Sequence, residues 1–229
     1  MKKGLLLVIC GIDGSGKTVQ SRQLCENIRS VGHTARYVEF PHYEEGFFGD
    51  LCARYLRGDF ASDAGSVNPY LASLPFACDR WESRDQLTEW LQRGDAVVCN
   101  RYVSANLAHQ GSKIEDETER NAFCQWDQKL EYNIFGLPRP DLHFWLDMPV
   151  NIAAKLIGTK GKREYLKDSQ DIHESDTKHL ESTREVYQSL ARQESNWITI
   201  AGAAGEMPRS KEEIANEIWE TVRPLCRNN

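Results

Sequence analysis

The stretch Gly11-Ile12-Asp13-Gly14-Ser15-Gly16-Lys17-Thr18 reads G-x-x-x-x-G-K-T, the pattern of a phosphate-binding P-loop. Its flanks supply the context that the motif needs. Gly4 to Cys10 (GLLLVIC) is a short apolar run of buried-strand type, and Thr18 is followed by a helical pattern with Leu24, Ile28 and Val31 on one side. Glycines let backbone N–H groups turn inward and approach a phosphate closely. The helix that follows adds the positive end of its dipole. Lys17 supplies a mobile cation for the β- and γ-phosphates, and the Thr18 hydroxyl is a ligand for Mg²⁺. A chance glycine turn before a core helix would explain the loop but not both flanks. The expected ATP-binding residues are therefore Gly11, Asp13, Gly14, Ser15, Gly16, Lys17 and Thr18.

Outward from this loop, apolar strands alternate with helices. Thr34 to Phe40 (TARYVEF) reads as a second strand stopped by Pro41, Ala96 to Cys99 as a third, Leu142 to Asp147 as a fourth and Trp197 to Ile200 as a fifth. Residues 44–57 read as a helix with Leu51, Tyr55 and Leu56 buried. Asn68-Pro69 is a helix start, with a capping side chain followed by proline at the first helical position, and that helix is expected to run to Arg93 and end at Gly94. Residues 116–135, 149–157, 172–195 and 210–226 are further helices, and Gly58 to Val67 is a polar turn region. This alternation implies an α/β fold: a five-stranded parallel sheet with helices on both faces. Ligands of such sheets bind beyond the carboxyl ends of the strands. Asp13, Phe40, Asn100-Arg101 and Asp147 then share one rim with the P-loop.

The chain has 229 residues, 40% of them hydrophobic, and reads as one domain over 1–229 with no repeat or long linker. Its 28 basic and 34 acidic residues give a net charge of −6, which argues against a nucleic-acid partner. Anionic substrates must then be held by a few local cations. Seven cysteines without regular spacing and without a C-x-x-C pair suggest reduced cytoplasmic thiols, and they argue against a disulfide framework or zinc. The N-terminal apolar run is too short to span a membrane, and no signal peptide is visible.

A P-loop alone says only "nucleoside triphosphate". The acceptor must be read elsewhere. Phe76 and Arg80 stand at i and i+4 on one helix face. An aromatic plane beside a five-donor guanidinium suits a flat heterocycle with carbonyl oxygens, although a core Phe and a surface Arg would give the same pattern.

The segments LPFACDRWE and VVCNRYVSANLAHQG, with GIDGSGKT and Phe40-Pro41, resemble the thymidylate (dTMP) kinase family. Its P-loop with an internal acid, F-P step, F-x-x-x-R helix and D-R-Y segment all have counterparts here, in order, over nearly the whole chain. The resemblance implies phosphorylation of dTMP to dTDP by ATP with Mg²⁺, in a protein that is typically a homodimer. It implies that Asp13 accepts from the 3′-hydroxyl, Phe76 stacks on thymine and Arg80 donates to a thymine carbonyl. It implies also that Arg101 clamps the acceptor phosphate, Asn106 contacts the base edge, and Phe40 and Tyr43 line the cleft. The basic loop from Gly158, about 158–170, resembles the family's mobile lid. Arg163 is its expected catalytic cation alongside Lys17 and Arg101, with Lys160 and Lys162 as substitutes.

Three positions depart from the pattern. Asn100 stands where the family has Asp, and an amide carries no negative charge. Transfer between phosphates needs little base catalysis, so activity does not require that charge, but a Mg²⁺ water network is weakened. His42 and Tyr43 replace an arginine after the F-P step. His109 occupies a usually aromatic position near the sugar's 2′ side. Two rivals stay open: a deoxynucleoside kinase with Glu39 as the base, and a nucleotide-binding regulator without turnover.

Overall fold

Five apolar runs pair into one parallel sheet in a computed structural model of the chain, which describes residues 3–43, 46–60, 67–158 and 177–228. The strands are β1 (Leu5–Cys10), β2 (Ala35–Glu39), β3 (Ala96–Asn100), β4 (Leu142–Asp147) and β5 (Trp197–Ala201), ordered β2-β3-β1-β4-β5. Strands buried on both faces are apolar at successive positions, and β1 and β3 follow that rule nearly throughout. One face carries Leu7, Ile9, Val98, Phe144 and Leu146 against α1 (Lys17–Ser30) and α9 (Lys211–Asn228). The other carries Leu6, Val8, Val97, Cys99 and Trp145. Packed on it are α4 (Arg84–Gln92), α5 (Val103–Gly111), α6 (Glu117–Gln128) and α8 (Thr177–Gln193). The expected five-stranded parallel α/β sheet, covered on both faces, is therefore the fold. A small hairpin, β6 (Ala203–Ala204) with β7 (Met207–Pro208), follows β5 and was not expected.

The chain leaves β1 to one side for β2 and leaves β3 to the other for β4, so the order reverses beside β1. A crevice opens at such a reversal. The P-loop fills it. Gly14 has φ 81, and a Cβ there would stand 2.4 Å from the Ala153 carbonyl oxygen on α7 (Val150–Gly158). Only glycine permits both the left-handed turn and that approach. Gly16, at φ 93, is the N-cap of α1.

Four helical expectations need correction. Val31 lies past the end of α1 and is 48% exposed, outside the stripe formed by Leu24 and Ile28. In α2 (Phe47–Leu56), Tyr55 and Leu56 are buried but Leu51 is only half-buried. The helix from Pro69, capped by Asn68 as expected, does not reach Arg93: α3 (Pro69–Glu82) stops at Ser83, whose N–H reaches back three residues to Arg80, and α4 restarts there. Residues 116–135 divide into α6 and a π-helical segment, Lys129–Ile134. Helix α5 was not foreseen. All its residues but Ala105 are buried, and its polar side chains Ser104, Asn106, His109 and Gln110 are buried with them, so no exposed polar face marks it as a surface helix. The basic lid expected at about 158–170, with Lys160, Lys162 and Arg163, lies almost wholly outside the described residues, as do the first residues of the 172–195 helix.

Candidate active site

Every residue assigned to the acceptor lines one cavity at the carboxyl edge of the sheet: Asp13, Phe40, Tyr43, Phe76, Arg80, Arg101, Asn106 and His109. The residues come from five places in the chain and meet at the convergence of the strand ends with α3 and α5.

One end of the cavity is a buried polar network. Arg80 gives Glu131 a two-point grip, Nε to Oε2 at 2.5 Å and Nη2 to Oε1 at 2.6 Å, with side chains 3% and 0% exposed. The surface-arginine reading of Arg80 is thereby excluded. Among the described residues its Nη1 has no hydrogen-bond partner. Asn106 donates through Nδ2 to Ser73 O, Asp127 Oδ1 and Glu131 Oε1, which leaves its Oδ1 as an acceptor. Burial, then the neighbouring Glu131, raise the Asp127 carboxyl well above the usual range. The ion pair at this end is Arg80 with Glu131. Phe76 stands edge-on to Tyr55 beside them. Glu131 and Asp127 were not anticipated. Their spacing of four on one helix face was the available signal, but nothing in it names Arg80 as the partner.

The other end gathers two cations around Asp13. Arg101 donates through Nη2 to Asp13 Oδ1, and Lys17 Nζ stands 3.5 Å from the same oxygen while donating to Ile12 O at 2.7 Å. Two cations thus share one carboxylate. Arg101 has φ 66, a left-handed backbone uncommon outside glycine, pinned by its N–H on Ile9 O. Arg101 Nη1 lies 3.0 Å from His109 Nε2. Burial, then Arg101, push the His109 pKa well below its usual value, so a neutral imidazole accepts this bond. His42 does not line the cavity. Its backbone N–H and Nδ1 both face Asp79 Oδ1, at 3.1 and 3.3 Å.

A second, wider cavity abuts the first. It is lined by Asp13, Gly14, Gly16, Lys17 and Thr18 together with Glu39 and Asn100, whereas Gly11 and Ser15 stand behind it. Among the described residues no group of three or more His, Cys, Asp or Glu could hold a metal ion by itself. Mg²⁺ commonly keeps several waters and binds one or two carboxylates plus substrate phosphates. The Thr18 hydroxyl, the Glu39 carboxylate and the buried, unpartnered Asn100 Oδ1 are oxygen donors of that kind beside the P-loop, and they fit it.

A P-loop at the reversal of a parallel sheet, with an aromatic and cationic acceptor cavity against it, defines an enzyme of the nucleoside monophosphate kinase type. The family model "Thymidylate kinase" matches residues 9–218, and the chain belongs to the thymidylate kinase family. Among curated relatives, the thymidylate kinase of Mycobacterium tuberculosis is 28% identical over 201 residues, covering 86% of this chain and 91% of the relative. The human thymidylate kinase is 31% identical, covering 72% of this chain and 70% of the relative. The solved thymidylate kinase of Candida albicans superposes with a TM-score of 0.74 at 18% identity, covering 97% of this chain and 92% of that one, and so shares the fold.

Proposed function

We propose that the two cavities work as donor and acceptor sites of one phosphoryl transfer. The chain phosphorylates dTMP to dTDP, and ATP is the donor. The observation that carries this reading is the polarity of the base end. Arg80 Nη1 offers a donor and Asn106 Oδ1 an acceptor beside the Phe76 ring. Thymine presents a carbonyl at position 4 and an N–H at position 3, the complement of that pair. Cytosine presents an amino donor and a bare nitrogen, mismatched at both. Arg101, held by Asp13 and His109, meets the acceptor phosphate, and Lys17 meets the β- and γ-phosphates. Asp13 takes the 3′-hydroxyl, and Phe40 and Tyr43 wall the cleft. The transferred group carries its charge on three oxygens, so positioning and neutralisation provide the catalysis.

Thr18 would hold Mg²⁺, whose chemistry there would be neutralisation of charge on the donor phosphates. Arg163, with Lys160 and Lys162, is the proposed lid cation. One domain over 1–229, a cytoplasmic homodimer and the absence of a nucleic-acid or membrane partner complete the reading. The net charge of −6 supports the last of these, and no described helix is long and apolar enough to cross a membrane.

The test is kcat/KM for dTMP, dUMP, dCMP and thymidine at saturating ATP. An unpaired polar group in a desolvated pocket costs roughly 1–3 kcal/mol, so dTMP should exceed dCMP by at least about tenfold. Arg80→Gln should shrink that gap, because an amide both donates and accepts. Equal rates with dCMP and dTMP in the wild type would remove the thymine pocket from the assignment.

A further inference from the structure

The Asp-to-Asn departure at position 100 has a neighbour that answers it. Strands β2 and β3 pair with Glu39 directly beside Asn100. Asn100 Nδ2 donates to Glu39 Oε1 at 2.8 Å and to Thr18 Oγ1 at 3.0 Å, so one amide nitrogen links the carboxylate to the metal-binding hydroxyl. The other carboxylate oxygen accepts from the Tyr37 hydroxyl at 2.5 Å. Each Glu39 oxygen is thus held by one neutral donor and keeps a lone pair. Among the described residues no cation pairs with Glu39. Asn100 is 2% exposed, lines the same cavity, and its Oδ1 has no hydrogen-bond partner. The amide orientation follows from its partner: a carboxylate only accepts, so the nitrogen must face Glu39 and the oxygen is left over.

We propose that Glu39, on β2, supplies the carboxylate of the Mg²⁺ site in this chain, with Asn100 as the amide that orients it and offers a further oxygen. The negative charge has moved one strand across the sheet edge without leaving the rim. An aspartate at 100 would set two carboxylates about 3 Å apart, and like charges at such range disfavour ionisation of both. Asn100 is the residue that lets Glu39 remain charged. Glu39 lines the P-loop cavity but not the acceptor cavity, which separates this role from that of a base acting on a nucleoside 5′-hydroxyl.

The proposal rests on the kinase reading only for the presence of a nucleotide, so its test omits the acceptor. Mn²⁺ would stand in for Mg²⁺, with free Mn²⁺ followed by EPR during titration of enzyme and ADP. The comparison is between wild type, Glu39→Gln, Asn100→Asp and the double variant. Loss of a group that holds or orients a metal commonly costs 10–100-fold in metal affinity, so Glu39→Gln should weaken Mn²⁺·ADP binding by at least about tenfold. ADP binding in EDTA should be unchanged or tighter, because a negative charge has left the phosphate site. A merely structural role would weaken both. The double variant, with its carboxylate back on β3, should recover most of the Mn²⁺ affinity. Mn²⁺·ADP affinity within about twofold of wild type in Glu39→Gln, or no recovery in the double variant, would overturn the proposal. Unchanged Mn²⁺ affinity together with Glu39-dependent phosphorylation of thymidine would assign Glu39 as a base instead. Failure of dTMP as acceptor would leave these metal titrations intact, so the two readings fail separately.

Discussion

Arg80 and Arg101 line the same cavity and are built for opposite tasks. Arg80 projects from a helix, its side chain is 3% exposed, and both oxygens of Glu131 neutralise it. Arg101 projects from a loop with a left-handed backbone, its side chain is 16% exposed, and it contacts the Asp13 carboxylate, which Lys17 also approaches. His109, beside it, is neutral and contributes no charge. A buried guanidinium gripped by both oxygens of one carboxylate reads hydrogen-bond geometry, which a base requires. One that reaches the cavity from a partly exposed loop beside a second cation is placed to meet an anion, which a phosphate supplies. The difference lies in the partners, since the two side chains are the same.

If that contrast is right, cutting the two ends should damage different properties. The largest effect is expected at the base end. Removing one member of a buried ion pair leaves the other uncompensated and costs about 3–5 kcal/mol. Glu131→Ala should therefore lower Tm by ~10 °C, since a chain of this size loses roughly 2–4 °C per kcal/mol. Thermal unfolding monitored by circular dichroism reads it directly. A fall of a degree or two would mean that Arg80 finds water or another acceptor, and the base end would not be prebuilt.

Arg101→Ala should do the reverse. Asp13 keeps Lys17 as a partner, so Tm should move by less than about 3 °C. Turnover should suffer instead. A fixed donor on a transferring group is worth about 10²–10³ in rate, so kcat/KM for dTMP should fall by about 10² or more. An intact kcat/KM with a collapsed Tm would make Arg101 a structural arginine and dissolve the comparison.

The same contrast explains what the sequence disclosed. The P-loop, the five strands and the rim residues were legible because a single local pattern carries each: a glycine loop, an apolar run, a strand end. Phe76 and Arg80 were legible as a pair because one helical turn separates them. Glu131 was not. It lies in a π-helical segment, where the shifted register hides which side chains point inward, and its partner is 51 residues away. Nor was the apposition of Glu39 and Asn100, since it depends on the register of two parallel strands. Helix α5 escaped for a related reason: it is short, and its polar side chains Asn106, His109 and Gln110 turn to the cavity instead of marking an exposed face.

The smallest expected effect tests whether His109 is a neutral acceptor for Arg101. Its Nε2 faces Arg101, and among the described residues Asp13, His179, Lys17 and the Tyr187 ring lie around it. Burial, then Arg101, lower its pKa in the folded chain. In the unfolded chain a histidine binds its proton near pH 6.5. Between the two values the unfolded state holds more protons than the folded one, so stability must fall as pH falls. Above about pH 7 both states are neutral and the contribution is full. Each pH unit below about 6.5 then costs the fold up to about 1.4 kcal/mol. His109→Gln removes that titration and leaves an amide oxygen that can accept from Arg101. The buried His143 titrates in both proteins and cancels in the comparison. Urea unfolding at pH 7.5 and 5.5 should therefore show the variant gaining on wild type by about 1.4 kcal/mol at the lower pH. At pH 7.5 its kcat/KM for dTMP should stay within a few-fold of wild type. Parallel stability curves would mean that His109 protonates freely in the fold. It could not then accept from Arg101, and the arginine's second partner would have to be sought elsewhere.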